Sequence, residues 1–249
     1  MSETDSPGNG DDAGIGDIGK FDPGLTQRLI SVLRPVLKTY HRSQVHGLDS
    51  FPPGGALVVA NHSGGMFPMD VPVFSGDLFR RTGYIRATRE NAAKALRSGG
   101  VVVVFPGGDY DAYRPTFAEN VIDFNGRKGY VSTAVEAGVP IVPAVSIGGQ
   151  ESQLYLSRGT WLARRLGLKR LLRSDILPIS FGFPFGFSAA IPPNLPLPAK
   201  IVMQVLDPIN LTKQFGEDPD VDAVDEHVRS VMQQALNDLA AKRRFPILG

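Results

Sequence analysis

Pro52-Pro53-Gly54-Gly55-Ala56-Leu57-Val58-Val59-Ala60-Asn61-His62-Ser63-Gly64-Gly65 is the stretch on which the fold turns. The Pro-Gly block punctuates the chain. Ala56 to Ala60 is then a short continuous apolar run, the pattern of a strand buried on both faces. It passes directly into Asn61-His62 and a glycine-rich segment. Polar residues placed straight after a buried strand are informative, because ligands of open α/β sheets bind beyond the carboxyl ends of the strands.

Similar units recur on either side. Leu25 to Tyr40 has apolar residues at helical spacing, with Arg28, Arg34, Lys38 and then Arg42 on the other side and no acid among them. Pro35 is expected to kink it. It reads either as a helix packed on the core or as a basic amphipathic helix on a membrane surface. After His62, a second unit begins at Tyr84-Ile85-Arg86-Ala87. A helix follows over Arg89 to Arg97, with Thr88 as N-cap and Gly99 as its stop. Val101 to Phe105 is another buried strand and ends in Pro106-Gly107-Gly108. Arg127 to Ala137 is helical, and Pro140 to Val145 is a third strand. Ile176 to Ser180 and Lys200 to Leu206 are further strands, and Val221 to Arg243 is the best helix. Alternating strands and helices predict an α/β fold with a mostly parallel central sheet flanked by helices.

Composition supports one domain. The 249 residues are 42% hydrophobic and 20% charged, enough for a sizeable core, with 28 glycines and 20 prolines making many turns. Residues 1–22 read as a disordered, acidic, glycine-rich tail without the basic start and apolar run of a secretory signal, and 23–249 as the folded domain. A net charge of +1 gives no whole-chain argument for nucleic acid. The absence of cysteine excludes disulfides, cysteinyl zinc, iron–sulfur clusters and a thiol nucleophile, and fits a cytoplasmic protein. No run approaches the roughly 18 apolar residues of a membrane span.

Gly-X-Ser-X-Gly, Gly-X-Gly-X-X-Gly, the P-loop and His-X-X-X-His are all missing. Of four histidines, only His62 sits at a strand end beside glycine-rich backbone. A neutral imidazole there can act as a general base, and Asp70, eight residues on, has chain enough to fold back and orient it. The same spacing also suits a histidine that merely caps a helix or turn. The loop from Pro106 to Pro115 offers the Gly107 and Gly108 amides, two acids and Arg114. It can cradle an anion or a polarised carbonyl, or be an ordinary tight turn.

Asn61-His62 with Asp70, Phe105-Pro106-Gly107-Gly108-Asp109-Tyr110-Asp111, and Gly138-Val139-Pro140-Ile141-Val142-Pro143 occur in the order of three motifs. From about Leu57 to Ile209 the chain resembles the glycerolipid acyltransferase superfamily, which includes lysophosphatidic acid acyltransferases. Its Pro-Gly-Gly-X-X-Asp is closest to the Pro-Gly-Gly-X-X-Glu of the diacylglycerol acyltransferase-like branch. The resemblance implies a single glycerol-3-phosphate acyltransferase-like domain and an O-acyltransferase. His62 would deprotonate an acceptor hydroxyl, which attacks an acyl thioester directly, and Asp70 would orient His62. Asn61, Ser63, Gly64, Gly65, Pro106, Gly107, Gly108 and Asp111 would hold substrate, and Arg114 would pair with a phosphate. No metal or redox cofactor is implied. Acyl-CoA or acyl carrier protein is the donor, and a (lyso)glycerolipid the acceptor.

The spacer between His62 and Asp70 exceeds the usual four residues. Two further features depart from the pattern. The interval from Asp70 to Arg86 is short, and the glutamate associated with glycerol phosphate is absent, which favours a neutral acceptor. A catalytically silent lipid-binding relative, and an esterase using His62 to activate water, are the alternatives. Peripheral membrane association is expected from Ser157 to Arg173, where six basic residues interleave with Trp161 and leucines without an acid. The same stretch also suits a solvated helix packed on the sheet. No recognised nucleic-acid module accompanies it. The cluster Phe181-Gly182-Phe183-Pro184-Phe185-Gly186-Phe187 can be core, line an acyl groove or dip into lipid.

Overall fold

The computed structural model describes residues 23–62, 88–118, 120–172, 175–189 and 194–245. Ala56–Ala60 forms strand β2, and every one of its residues is buried. Leu57 and Val59 point into one apolar cluster, while Ala56, Val58 and Ala60 point into another on the opposite face. This period-two division explains the unbroken apolar run: neither face meets water.

Among the described residues, five strands form the central sheet. In chain order they are β1 (Gln44–His46), β2, β3 (Val101–Val104), β4 (Ile141–Ile147) and a late strand, Val202–Val205. The late strand lies between β1 and β4, and β2 separates β4 from β3. Three of the four pairings are parallel, and only the late strand against β4 is antiparallel. The mostly parallel sheet expected from the sequence is therefore present.

Helix α1 (Pro23–Thr39) continues through Pro35. It packs Leu37, with Leu33, against the cluster of Val58, Val142 and Met203. Its Val32, Val36 and the following Tyr40 are exposed. The opposite face is covered by α2 (Arg89–Arg97), α4 (Gly129–Ala137) and the C-terminal helix Val221–Ala241. Thr88 caps α2 by accepting from the Asn91 amide at 3.2 Å. Gly138, in the left-handed region, ends α4. Between them lies α3 (Gly108–Ala112), so the centre of the expected 106–115 loop is a short helix.

A second, three-stranded antiparallel sheet was not anticipated as a sheet. It consists of β5 (Leu154–Ser157), β6 (Ile179–Gly182) and β7 (Gly186–Ala189). The phenylalanine cluster is the β6–β7 hairpin. Two short helices, α5 (Thr160–Arg165) and α6 (Leu168–Leu172), carry the basic stretch between β5 and β6. The late strand is β8 (Val202–Val205), and α7 (Leu211–Phe215) and α8 (Val221–Ala241) follow it. No helix among the described residues is long and apolar enough to cross a membrane. The expected tail at 1–22, and the units at Tyr84 to Ala87 and Asp70 to Arg86, lie outside the described residues.

Candidate active site

Three parallel strands, β4, β2 and β3, bring their carboxyl ends together. Just beyond β2, Asn61 is buried and its amide spans to β4. Its Nδ2 donates to the Ser146 carbonyl at 2.9 Å, and its Oδ1 accepts from the Ser146 amide at 2.8 Å. Asn61 thus acts as an added rung that ties the end of β2 to β4. A carboxamide, with N–H donors on one side and a carbonyl acceptor on the other, can make both bonds at once.

His62 follows immediately. Its main-chain N–H donates to Asp111 Oδ2 at 2.8 Å. Its imidazole lies flat on Phe105, the residue after β3, with ring centroids 4.2 Å apart and planes 17° from parallel. Backbone and ring are therefore held by two different elements. Burial pushes the His62 pKa down to about 4, so the ring is neutral near pH 7. Its Nδ1 is buried and has no hydrogen-bond partner among the described residues.

Asp111 is 1% exposed. Its Oδ1 accepts from the Arg114 guanidinium at 2.6 Å, one turn further along the chain. Arg114, 3% exposed, also donates to the Val121 carbonyl. The carboxylate is thus neutralised by a buried partner while its second oxygen holds the His62 backbone.

The Pro106-Gly107-Gly108 block makes this packing possible. A Cβ on Gly107 would lie 2.4 Å from Asp111 Cβ, so only glycine lets the acid approach. Gly108 has φ +51, and its amide donates to the Phe105 carbonyl at 3.0 Å. That amide, expected from the sequence to face a ligand, closes the turn instead.

The resemblance implies a phosphate partner for Arg114. Its guanidinium instead lies inside the protein, bound to Asp111 and Val121. The i,i+3 spacing of Asp111 and Arg114 was the signal for that pair. Two further arginines support the block without having been singled out for it. Arg127 donates to the Gly107 carbonyl at 2.9 Å and to Asp109 at 3.1 Å. Arg158, read only as part of the basic stretch, donates to the Tyr110 carbonyl at 2.9 Å and stacks over that ring at 3.7 Å. Their separations of 20 and 48 residues along the chain carry no local pattern. Of the expected site residues, the structure gathers Asn61, His62, Pro106, Gly107, Gly108, Asp111 and Arg114. Ser63, Gly64, Gly65 and Asp70 lie outside the described residues.

A neutral imidazole at the mouth of three strand ends has a free lone pair for a proton. The architecture has known counterparts. A family model described as diacylglycerol acyltransferase matches residues 65–246. An uncharacterised protein of Mycobacterium tuberculosis is 30% identical over 263 aligned positions, covering 92% of this chain and 70% of that protein. The mouse protein named "DGAT1/2-independent enzyme synthesizing storage lipids" is 27% identical over 192 positions, covering 67% of this chain and 56% of its own length. The crystal structure of the 1-acyl-sn-glycerophosphate acyltransferase PlsC from Thermotoga maritima superposes with a TM-score of 0.51. It covers 88% of this chain and 89% of that one, at 18% identity, and so shares the fold.

Proposed function

The chain belongs to the diacylglycerol acyltransferase family, and from that membership we propose that it transfers a fatty acyl group from a thioester donor to a hydroxyl of a glycerolipid, with His62 as general base. The observation that carries this reading is the His62 arrangement. The ring is neutral, stacked on Phe105, and fixed through its own backbone by Asp111.

The acceptor O–H gives its proton to the imidazole as its oxygen attacks the thioester carbonyl carbon. The tetrahedral intermediate collapses with cleavage of the carbon–sulfur bond, and the imidazolium returns the proton to the departing thiolate. No acyl-enzyme forms. Asp70 is the positioning residue for this base. A carboxylate on Nδ1 would satisfy a buried atom otherwise costly to leave unpaired, and would stabilise the imidazolium. The donor is acyl-CoA or acyl carrier protein, with no resident cofactor.

The acceptor is a neutral lipid such as diacylglycerol rather than a phosphorylated one. Arg114, the cation nearest the glycine block in sequence, is already committed to Asp111 and Val121. The mouse relative's name also speaks of storage lipids. Such an acceptor places the enzyme at a membrane surface.

The test is transfer of labelled acyl-CoA, and of acyl carrier protein thioester, to diacylglycerol, lysophosphatidic acid and a long-chain alcohol, with His62→Ala beside the native protein. Labelled triacylglycerol that disappears in the variant is the expected result. Labelled phosphatidic acid as the main product would overturn the neutral acceptor. Free fatty acid alone would make the protein an esterase, and no product from either donor would make it a silent lipid-binding relative.

A further inference from the structure

The β6–β7 hairpin is built inside out. Ile179 pairs with Ala189, Ser180 with Ser188, and Phe181 with Phe187, and directly paired residues share a face. The serines face the protein. Their hydroxyls lie 3.0 Å apart, and Ser188 also accepts from buried Asn194 at 3.3 Å. Tyr155, paired with Ser180, is buried on that same face. The phenylalanines take the opposite face: Phe181 is 46% exposed and Phe187 73%, with ring centroids 4.9 Å apart. At the tip, Phe183 is 76% exposed. A half-covered antiparallel sheet ordinarily turns its apolar side inward, so this arrangement calls for an apolar partner outside the chain.

The exposed apolar groups continue beyond the hairpin. The Leu195 amide donates to the Phe183 carbonyl at 2.8 Å, and Tyr40 Oη donates to the Pro196 carbonyl at 2.6 Å. Leu195 and Leu197 are exposed. On α1, Val32, Val36 and Tyr40 follow at four-residue steps and are exposed as well. These bonds join the hairpin tip to the end of the α1 stripe.

Basic charge lies on the helix that carries the apolar stripe and on the two short helices that precede β6. No acid occurs between Asp22 and Asp49, where α1 carries Arg28, Arg34 and Lys38, or between Glu151 and Asp175, where α5 and α6 carry Arg164, Arg165, Lys169 and Arg170. On α6, Lys169 pairs with Asp175 at 3.0 Å. Trp161, 62% exposed, lies in the first turn of α5. A protein partner of ordinary chemistry needs no such combination of protruding aromatics with single-sign charge. An anionic bilayer supplies both an apolar interior and negative headgroups.

We propose that the β6–β7 hairpin inserts its phenylalanine face into an anionic lipid bilayer, with α1 and α5–α6 lying on the headgroups. The inference rests on the reading that the acceptor is a lipid. Arg158 links α5 to α3, since it precedes α5 and holds the Tyr110 carbonyl of α3.

Trp161 is the only tryptophan in the chain, so its emission reports the interface directly. Vesicles of phosphatidylcholine alone, and with phosphatidylglycerol, are titrated against the native protein, Phe183→Ser/Phe187→Ser and Arg164→Gln/Arg165→Gln. The native protein should bind the anionic vesicles, with Trp161 emission shifted to the blue and quenched by brominated lipid chains. Each double variant should bind about tenfold more weakly or worse. Circular dichroism confirms that they fold.

Transfer to a short-chain diacylglycerol below its aggregation limit should be unchanged in both variants. Loss of vesicle binding supports the proposal whether or not transfer is detected, while absent transfer in the native protein counts only against the acyltransferase reading. Unchanged vesicle binding in the phenylalanine variant overturns the proposal. So does loss of soluble-substrate transfer with binding retained, which would put the hairpin in an acyl groove. A concentration-dependent dimer that the phenylalanine changes abolish, without any vesicle binding, would assign the face to a second copy of the chain.

Discussion

In the five-stranded sheet, Ala56 to Ala60 are buried on both faces, and the polar residues that follow, Asn61 and Asp111, are buried with partners. In the three-stranded sheet, Ser180 and Ser188 face inward while Phe181 and Phe187 face water. One sheet is closed and its polar groups are organised around a single imidazole. The other is open on its apolar side. Hydrophobic burial and hydrogen bonding finish the first within the chain. Among the described residues the second keeps its phenylalanine side exposed, the side proposed above to enter a bilayer. The difference separates a region where substitutions alter stability and chemistry from one where they alter association.

The comparison is most severely tested at His62. His62→Ala should lower kcat/KM about 10²–10⁴-fold, the usual contribution of a general base, with the circular dichroism spectrum retained. A loss under about threefold would mean that the closed sheet's most organised side chain does no proton transfer.

Asp111→Ala comes next. It strands the buried Arg114 guanidinium and frees the His62 backbone. Removing one partner of a buried pair costs about 3–5 kcal/mol. Urea unfolding should show that loss, and transfer should fall as well. A stability change near zero would place Arg114 in contact with water, contrary to its 3% exposure.

Asn61→Ala removes two hydrogen bonds to Ser146 and should cost about 1–3 kcal/mol. Asn61→Asp tests the same rung more finely, since a carboxylate accepts from the Ser146 amide but cannot donate to its carbonyl. Urea midpoints that fall in the Asp variant but by less than in Ala would assign part of the effect to each bond. Equal stability of the native and Ala proteins would remove the rung from the account.

How much of this was legible depended on whether a pattern was local. β2, β3 and β4 were readable because strands buried on both faces are continuous apolar runs. Helix α2 was readable because Thr88 and Gly99 mark its ends. His62 was placed correctly at a strand end for the same reason. The role of Asn61 was not readable, since its partner Ser146 is 85 residues away. Arg127 and Arg158 were beyond reach on the same ground. The hairpin was harder still. Alternation in Phe-Gly-Phe-Pro-Phe-Gly-Phe shows that the phenylalanines share a side, but nothing in the order of residues says which side is inward. That depended on Asn194 and Tyr155 occupying the serine face.

The pH dependence sharpens the closed side of the comparison. Burial lowers the pKa of His62 to about 4 and that of His41 in the same direction. At pH 5.5 an exposed histidine with a pKa near 6.5 would be about nine-tenths protonated. Burial alone would keep His62 neutral there, so kcat/KM should hold at pH 5.5 and fall only nearer pH 4. The Asp70 carboxylate proposed on Nδ1 would move that acid limb upward, so a limb nearer 6.5 in the native protein that drops in Asp70→Asn would assign the pairing, and one that stays would mean that the ring is wet. Stability carries the same sign. Below pH 6.5 the unfolded chain takes up protons that the folded histidines refuse. Their contribution is therefore complete above pH 6.5 and is lost as the pH falls from there toward 4.

The smallest effect is expected on the open sheet. Phe187→Ser removes a ring that is already 73% exposed, along with its contact to Phe181. A cross-strand aromatic pair contributes about 0.2–1 kcal/mol, so the urea midpoint should move by about 1 kcal/mol or less. The same change at Val58, fully buried in the closed sheet, should cost about 3 kcal/mol or more, because it leaves both a cavity and a buried hydroxyl. Equal costs at the two positions would show Phe187 to be covered within the folded chain. A near-neutral Phe187→Ser that nevertheless weakens vesicle binding would show the reverse: the ring contributes little to folding because its burial occurs in the bilayer.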